Sequence, residues 1–340
     1  MEFIRKYLGL TIRIVVSVVI LAWLARHIDW AQMRTIAGQI NPVWLGAAFL
    51  FVLPTILFTA WRWQVLARVQ DIRLTLRQAI ELGMVGQFFN SFLLGSSGGD
   101  VVKIYYATQA APSRRAAAAL SVVIDRILGL LALLIIAIVL AILHLEVLTS
   151  TNQSKYAVWT MFLVAAGAVG AVVFSLAGKP IQRWFEKRNL WTKIPLHGLL
   201  EKLLHAYDRF ARSGPVIGWA LMISIVSHVF GLTGCYCVIR SLQIEPNLWQ
   251  FLATLPTMLI LAAIPISISG FGVREGLAVV FLGLLGISKE HAVAFGLLSY
   301  ITALGWSLVG GIVYLRYSAP LPEEAAEQIE KVEGQIEKQM

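Results

Sequence analysis

Long apolar runs separated by short polar stretches dominate the pattern along this chain. The longest runs hold about 18 to 26 residues, the length a helix needs to cross a bilayer core of roughly 30 Å. These runs are Leu8–Ala25, Val43–Ala60, Ala119–Leu143, Ala157–Ala177, Pro215–Ile239 and Ala292–Leu315. Helices satisfy their own backbone hydrogen bonds, which lipid cannot do for them. The pattern therefore predicts an all-α polytopic membrane protein with six full transmembrane helices, the first of them a retained span rather than a cleaved signal peptide.

Two further apolar stretches, 79–110 and 249–287, are each interrupted by glycines and charged residues. The first interruption contains Gly98, Gly99, Asp100 and Lys103, and the second contains Gly270, Gly272, Arg274 and Glu275. The arm that follows each interruption has about ten residues, which is too few to cross a bilayer. Broken helices of this kind are tolerated in a membrane where protein surrounds them. We therefore predict two re-entrant helical hairpins in addition to the six spans.

The composition excludes a soluble globular protein. Hydrophobic residues make up 58% of the 340 positions and charged residues 14%, whereas soluble domains carry roughly 25% charge. The net charge of +9 follows the membrane pattern, because basic residues concentrate at 5–6, 62–77, 114–115 and 179–212 and are sparse in the intervening loops. This is the positive-inside asymmetry. It predicts a cytoplasmic N-terminus and basic groups that face lipid headgroups, not nucleic acid.

The charge rule also predicts that the two hairpins face opposite sides of the membrane. Both flanks of the first hairpin are basic and therefore cytoplasmic, whereas the second begins and ends outside if the last span ends inside at Arg316. The second half then repeats the first upside down, which is the plan of many transporters. We predict a transmembrane domain over 1–318, with halves at about 1–143 and 157–316. A charged cytoplasmic tail with six glutamates and two lysines follows over 319–340.

Ionisable residues inside a membrane are costly and mark functional sites by default. Asp100 and Lys103 lie three residues apart, on one helix face, just after Gly98 and Gly99. Lys103 and the free amides of a helix start suit an anion such as a lipid phosphate, and Asp100 could pair with Lys103 or exchange a proton. The alternative is a surface ion pair in a cytoplasmic loop. Asn90, on the preceding arm, is a candidate for polar cavity lining or for a hydrogen bond between helices.

The second hairpin and the third long run supply the other charged candidates. Arg274 and Glu275 follow Gly270 and Gly272, and an arginine fork suits phosphate. The alternative for this pair is an exposed extracytoplasmic loop. Asp125 and Arg126 could pair with each other or with the hairpin charges, unless Arg126 extends to the membrane interface. No metal-binding, P-loop or serine-nucleophile motif stands in the sequence, so we expect neither a cofactor nor a catalytic residue.

Three motifs in the chain resemble those of the lysylphosphatidylglycerol synthase transmembrane-region family, also called flippase-like. They are Gly98-Gly99-Asp100-Val101-Val102-Lys103, Asp125-Arg126-Ile127-Leu128-Gly129 and Gly270-Phe271-Gly272-Val273-Arg274-Glu275-Gly276. In order and spacing they cover roughly residues 10–316. The resemblance implies lipid translocation or an accessory role in modifying lipids or lipid-linked sugars. In multiple peptide resistance factors a domain of this type flips aminoacylated phosphatidylglycerol, which a fused transferase domain makes; we expect no such synthase activity here.

The leading hypothesis is a flippase for an anionic or polyprenyl-phosphate-linked lipid. Head groups would enter a polar cavity between the two hairpins while the tails stay in the bilayer. Lys103, Arg126 or Arg274 would hold the phosphate, and Asp100, Asp125 and Glu275 would balance the charge. One alternative is a non-catalytic membrane partner of a separate glycosyltransferase or lipid enzyme. A less favoured alternative is an integral lipid head-group transferase. The family resemblance and the charge pattern together predict a multi-pass protein of a bacterial inner membrane with both termini in the cytoplasm, and they leave the oligomeric state open.

Overall fold

A computed structural model provides the fold. It describes residues 26, 28–92, 98–111, 114–152, 155–156, 158–160, 162–163, 167, 209–210, 212–262 and 272–316. The helices are α1 (Trp30–Gly38), α2 (Pro42–Val69), α3 (Leu76–Phe92), α4 (Gly98–Ala110), α5 (Arg115–Leu143), α6 (Leu145–Leu148), α7 (Gly214–Ser241), α8 (Leu248–Ala262), α9 (Val273–Gly283) and α10 (Lys289–Arg316). The described residues contain no β-strand, so the all-α prediction is confirmed for them.

Four helices of the described part are long and apolar enough to cross a membrane: α2, α5, α7 and α10. They confirm four of the six predicted spans. Leu8–Ala25 lies outside the described residues, and Ala157–Ala177 is described only in fragments. The predicted tail at 319–340 and the residues 93–97 and 263–271 also lie outside them.

Both interrupted stretches form pairs of shorter helices. α3 and α4 have 17 and 13 residues, and α8 and α9 have 15 and 11. At 1.5 Å per residue these helices are about 16 to 26 Å long, which is less than a hydrocarbon core of roughly 30 Å. Each pair packs together, as expected for a broken helical hairpin.

Helices α2 and α7 form the central contact of the bundle and run antiparallel. The start of α2 meets the end of α7, where the Asn41 amide donates to the Ser241 carbonyl at 2.8 Å. Near the other end of α2, Arg62 donates to Ser224 at 2.9 Å. Asn41 also defines the start of α2, because its side chain accepts from the Val43 amide at 2.9 Å, and Pro42 needs no amide partner at the first helical position.

A constant offset of 172 residues relates elements of the two halves. α2 and α7 each have 28 residues and begin at 42 and 214. Each is followed, one residue beyond its cap, by a non-glycine residue with positive φ, namely Asp71 (54°) and Gln243 (61°). The next helices begin at Leu76 and Leu248, again with the same offset.

The contacts between helices also correspond in the two halves. The first arm α3 packs against α10, the last span of the other half, and the first arm α8 packs against α5. The second arms α4 and α9 each pack against the last span of their own half, α5 and α10. Around α8 and α9 the packing is dense and apolar, with Phe251, Phe281 and Phe295 almost fully buried.

One prediction about the basic residues is wrong. The sequence pattern assigned Arg62 to a cytoplasmic loop after a span ending at Ala60, but α2 continues without interruption to Val69. Trp63, Leu66 and Ala67 on this added length are fully buried, and Arg62 itself is 5% exposed. The apolar face of 61–69 keeps the helix in the core, so Arg62 is carried into the interior.

Candidate functional site

A cavity of about 220 Å³ lies among α2, α3, α4, α5 and α7. Its lining is unusually polar for the interior of an apolar bundle. The charged and polar side chains that line it include Thr59, Arg62, Gln87, Asn90, Asp100, Lys103, Asp125, Arg126 and His228. The described lining therefore holds three cations and two carboxylates, which leaves one positive charge in excess.

Asp125 is the buried centre of this charge cluster. Its Oδ1 accepts from Arg62 Nε at 2.7 Å, and its Oδ2 lies 3.2 Å from Lys103 Nζ. All three side chains are less than 10% exposed. A buried carboxylate needs such partners because desolvation of an unpaired charge costs several kcal/mol. The three residues come from α2, α4 and α5, so they also tie these helices together.

Arg62 is fixed by further contacts. Its NH1 donates to Ser224 on α7 at 2.9 Å, and its guanidinium lies against Gly129 on α5. A Cβ at position 129 would stand 3.1 Å from NH1, so glycine leaves room here that a side chain would make tight. Sequence reasoning missed Arg62 and Ser224. The available signal was that the residues after Arg62 continue the apolar helical pattern of α2.

Lys103 is held less tightly than Arg62. It makes one ion pair, with Asp125, and its Nζ lies 4.1 Å from the centre of the Trp63 ring. The Trp63 indole donates to Ser121 at 3.2 Å, which orients the ring. A desolvated ammonium over an indole face is attracted by about 2 kcal/mol. Lys103 therefore keeps two of its three N–H donors outside the pair with Asp125.

The second ion pair of the cavity is more accessible. Arg126 NH1 lies 3.0 Å from Asp100 Oδ2, and the two side chains are 44% and 28% exposed. The structure thus pairs Asp100 with Arg126 and Lys103 with Asp125, not Asp100 with Lys103 or Asp125 with Arg126. Asp100 also stands in the first turn of α4, where the helix dipole favours a negative charge.

Close contact between α3 and α4 positions these charges. A Cβ on Gly99 would collide with the backbone oxygen of Gly86 and would lie 2.7 Å from Asn90 Cγ. Asn90 Oδ1 accepts from the Gly99 amide at 2.8 Å, which satisfies one free donor at the start of α4. Gly98 is the first residue of α4. Asn90 therefore both lines the cavity and joins two helices.

The described residues of the second hairpin do not line this cavity. Gly272 has a φ of 81° and precedes α9, and its amide donates to Glu275 Oε2 at 2.7 Å. Glu275 is 2% exposed and packs against Gly296 of α10, so it caps a helix. Arg274 lies beside it on α9, and Gly270 lies outside the described residues. The expectation that both hairpins line one cavity is not met by the cavity described above.

Two further lining residues come from the long helices. His228 on α7 lies 2.9 Å, through Nε2, from the Gly129 carbonyl. Thr59 on α2 lies 3.3 Å from the Ser227 hydroxyl. The sequence analysis did not identify either residue, because an isolated histidine or threonine in an apolar run forms no motif that would mark a site. Among the described residues no group of acidic, histidine and cysteine side chains could hold a metal ion.

The geometry suits recognition of a charged headgroup at the edge of a hydrophobic phase. Arg126 and Asp100 are accessible, Lys103 has donors to spare, and the surrounding helices expose apolar faces that include Leu130, Ile127 and Val123. Polar groups concentrated in one cavity, with apolar surface outside, are typical of a site for an amphipathic molecule.

Comparison with known proteins places the chain in a family. The family model described as Lysylphosphatidylglycerol synthase TM region matches residues 10–311. This match includes every candidate site residue of both hairpins and of α5. No curated protein matches the chain. The match confirms the resemblance that the three sequence motifs indicated. The protein therefore belongs to the family of the lysylphosphatidylglycerol synthase transmembrane region, which consists of integral membrane proteins with a lipid-related function.

Proposed function

We propose that this protein is a transporter that moves an anionic or polyprenyl-phosphate-linked lipid between the leaflets of a bacterial inner membrane. The observation that carries the proposal is the accessible Asp100–Arg126 pair in a cavity of about 220 Å³ inside an apolar bundle. The phosphate would approach Arg126 and Lys103, and the acyl or prenyl chains would stay in the bilayer. Charges in such a place are expensive to retain without a function.

The arrangement of the helices supports a transporter over an enzyme. The 172-residue offset and the corresponding packing of α3 on α10 and α8 on α5 are what an inverted repeat would produce. We accordingly propose six spans and two re-entrant hairpins that enter from opposite sides, with both termini in the cytoplasm. The cavity carboxylates Asp100 and Asp125 are both engaged in ion pairs, which supports a charge-balancing role for each in the proposed site.

The proposal is tested in liposomes that contain the purified protein and phosphatidylglycerol with a fluorescent label on an acyl chain. A membrane-impermeant quencher added outside then reports how fast label from the inner leaflet becomes accessible. We expect wild-type protein to accelerate this exchange and Arg126→Gln to slow it strongly. Arg77→Gln is the matched control, because Arg77 is 87% exposed and lies outside the cavity.

Two outcomes would contradict the proposal. One is equal exchange in empty and protein-containing liposomes for labelled phosphatidylglycerol and for a labelled polyprenyl phosphate. The other is equal exchange by wild-type protein and Arg126→Gln. Preference for these lipids over labelled phosphatidylcholine would identify the phosphate-borne negative charge as the recognised feature.

A further inference from the structure

His228 on α7 uses one ring nitrogen for a contact within the protein and leaves the other without a partner. Its Nε2 lies 2.9 Å from the Gly129 carbonyl of α5. A carbonyl oxygen only accepts hydrogen bonds, so Nε2 carries the ring proton, and the neutral ring then presents Nδ1 as an acceptor. No residue in the described part of the chain donates to Nδ1. His228 lines the cavity, so this acceptor is available to a molecule inside it.

Gln87 on α3 adds a second uncharged group to the same cavity. Its backbone carbonyl accepts from the Ser91 and Ser307 hydroxyls, at 3.3 and 3.2 Å. Its side-chain amide, in contrast, forms no hydrogen bond with any of the described residues, although Gln87 lines the cavity. An amide offers one acceptor oxygen and two N–H donors. A few such groups in a cavity fix the orientation of a ligand and select it by its polar atoms.

The two acceptors, His228 Nδ1 and Gln87 Oε1, have no use for a phosphate diester, which carries only acceptor oxygens. The phosphate can use Arg126 and the spare N–H groups of Lys103, but it has no hydrogen to donate. Acceptors that lose water and gain no donor cost free energy, so these two favour a headgroup that brings its own donors. A hydroxyl suits them better than an ammonium, because the described lining already has one positive charge in excess.

The position of His228 relative to Arg126 fits a short headgroup. Gly129, whose carbonyl His228 contacts, follows Arg126 by about one turn of α5, so His228 meets this helix about 5 Å further along its axis. A three-carbon polyol, with bonds of about 1.5 Å each, spans that distance. The cavity volume of about 220 Å³ is below the roughly 300–1,000 Å³ of sites that enclose drug-sized ligands, which suits a headgroup of this size.

We propose that His228 and Gln87 select lipids whose phosphodiester headgroup carries hydroxyl groups, and that they do so by accepting hydrogen bonds from these hydroxyls while Arg126 and Lys103 hold the phosphate. This inference rests on the proposed function, because it names the headgroup class recognised in the same cavity. A lipid without hydroxyls leaves both acceptors without partners, and a site built to hydrogen-bond a hydroxyl rejects such an analogue. The glycerol of phosphatidylglycerol and a sugar on a polyprenyl phosphate both offer this chemistry.

The test compares two lipids that differ only in their hydroxyl groups. Phosphatidylglycerol is measured against phosphatidylpropanol, which has the same phosphodiester charge and the same three-carbon headgroup but no hydroxyl. The purified protein is titrated with each lipid, and binding is followed by native mass spectrometry. We expect wild-type protein to bind phosphatidylglycerol about tenfold more tightly, as two hydrogen bonds of ordinary strength imply. Equal binding of the two lipids by wild-type protein overturns the inference.

Variants of the cavity assign the preference to its residues. His228→Phe and Gln87→Met should each reduce it, because each removes one acceptor. Arg126→Gln should instead weaken the binding of both lipids alike, since it acts on the phosphate that they share. Thr233→Val is the control on α7, because the Thr233 hydroxyl bonds within its own helix at 2.8 Å and lies outside the lining. An unchanged preference in folded His228→Phe and Gln87→Met overturns the inference.

His228→Asn separates recognition from helix packing. Asparagine keeps an acceptor oxygen near the place of Nδ1 but is too short to reach the Gly129 carbonyl that Nε2 contacts. It should therefore retain most of the preference for phosphatidylglycerol. Equal losses in His228→Asn and His228→Phe would assign the effect to the contact with Gly129 and overturn the role of Nδ1. Should His228→Phe fail to fold, His228→Asn and Gln87→Met carry the test.

A second pair of probes identifies the source of the hydroxyls. A polyprenyl phosphate that carries one hexose is compared with the methyl diester of the same polyprenyl phosphate. A preference that depends on His228 and is confined to this pair assigns the site to prenyl-linked lipids. A preference confined to phosphatidylglycerol over phosphatidylpropanol assigns it to glycerophospholipids.

Failure of this inference can be told apart from failure of the proposed function. Hydroxyl-dependent binding that His228 controls, without any exchange between leaflets, would leave the headgroup selection standing and remove the transport role. Exchange that depends on Arg126 but is equal for phosphatidylglycerol and phosphatidylpropanol, and indifferent to His228→Phe, would do the opposite.

Discussion

Thr55 and Ser227 exchange hydrogen bonds at the centre of the bundle. The Ser227 hydroxyl donates to the Thr55 carbonyl at 3.2 Å, and the Thr55 hydroxyl donates to the Ser227 carbonyl at 3.5 Å. The two residues are 172 positions apart and occupy the same place in α2 and α7. A reciprocal contact between equivalent residues of antiparallel helices is what a two-fold relation between the two halves produces. The helix pair is thus held by groups that each half contributes alike.

The two hydroxyl groups of the Thr55–Ser227 contact should contribute separately to stability. Thr55→Val and Ser227→Ala are each expected to lower the free energy of unfolding by about 0.5–1.5 kcal/mol. The double variant should lose about the sum, because each hydroxyl donates to the other residue's backbone carbonyl, which neither substitution removes. Unfolding in mixed micelles measures these values. Thr233→Val is the control, since the Thr233 hydroxyl bonds within its own helix at 2.8 Å; a loss in the double variant far below the sum would contradict the prediction.

Asp125 should matter more for stability than Lys103. Asp125→Ala leaves Arg62 and Lys103 buried without a counter-ion, so we expect a loss of about 3–5 kcal/mol. Lys103→Met keeps the Arg62–Asp125 pair and an unbranched apolar stem against Trp63, and should cost clearly less. Thermal unfolding of the purified variants in detergent gives the order, and equal stability of the two variants would speak against Asp125 as the centre of the cluster.

Gly99 should tolerate no side chain. Gly99→Ala places a methyl group into the Gly86 backbone and against Asn90, which should separate α3 from α4 and cost about 1–3 kcal/mol. The same change should slow lipid exchange, because it moves Asp100 and Lys103. Gly46→Ala on α2 is the control, with no atom within 4 Å of the new Cβ and a position outside the cavity lining. Comparable effects at positions 46 and 99 would refute the close-contact explanation.

Glu275 should act as a helix cap and not as a proton carrier. Glu275→Gln keeps an oxygen that can accept from the Gly272 amide and should retain lipid exchange. Glu275→Ala removes that acceptor, and we expect a loss of about 0.5–2 kcal/mol. Exchange and unfolding measured on both variants separate the roles. Loss of exchange in Glu275→Gln, with normal stability, would instead indicate a titrating carboxyl.

Asp71 should make stability depend on pH at the end of the molecule where α2 and α3 meet. Hydrogen bonds from Arg114 and then Arg209, at 2.6 and 2.7 Å, hold the pKa of Asp71 below its ordinary value of 3.8. The contribution of Asp71 to the free energy of unfolding is therefore complete above about pH 4. It is lost as the pH falls through the lower pKa that Asp71 has in the folded state.

The comparison for Asp71 is between two neutralising variants. Asp71→Asn should flatten the acid side of the stability profile. Glu146→Gln is the control variant, because Glu146 is exposed and makes no ion pair among the described residues. High salt should reduce the effect of Asp71, because the pair is exposed and screened. An unchanged acid limb in Asp71→Asn would contradict the prediction.

The membrane class, four of the long helices and the family can be predicted from the amino-acid sequence alone. Run length and apolar content are local properties, so α2, α5, α7 and α10 can be recognised without knowledge of their neighbours. The same holds for the glycines before α4 and α9, because the residues that interrupt a helix can be recognised at their own positions in the sequence.

Which charged side chains pair with one another depends on the packing of the helices. Asp100 pairs with Arg126, Lys103 shares Asp125 with Arg62, and Glu275 turns back to cap its own helix. Arg62 and Asp125 are 63 residues apart, and their contact exists because α2 and α5 pack side by side. The sequence pattern identified residues that are costly in a membrane, but the partner that offsets each cost depends on helix packing. The same packing leaves the buried Nε of Arg274 without a hydrogen-bond partner, which local pattern could not reveal.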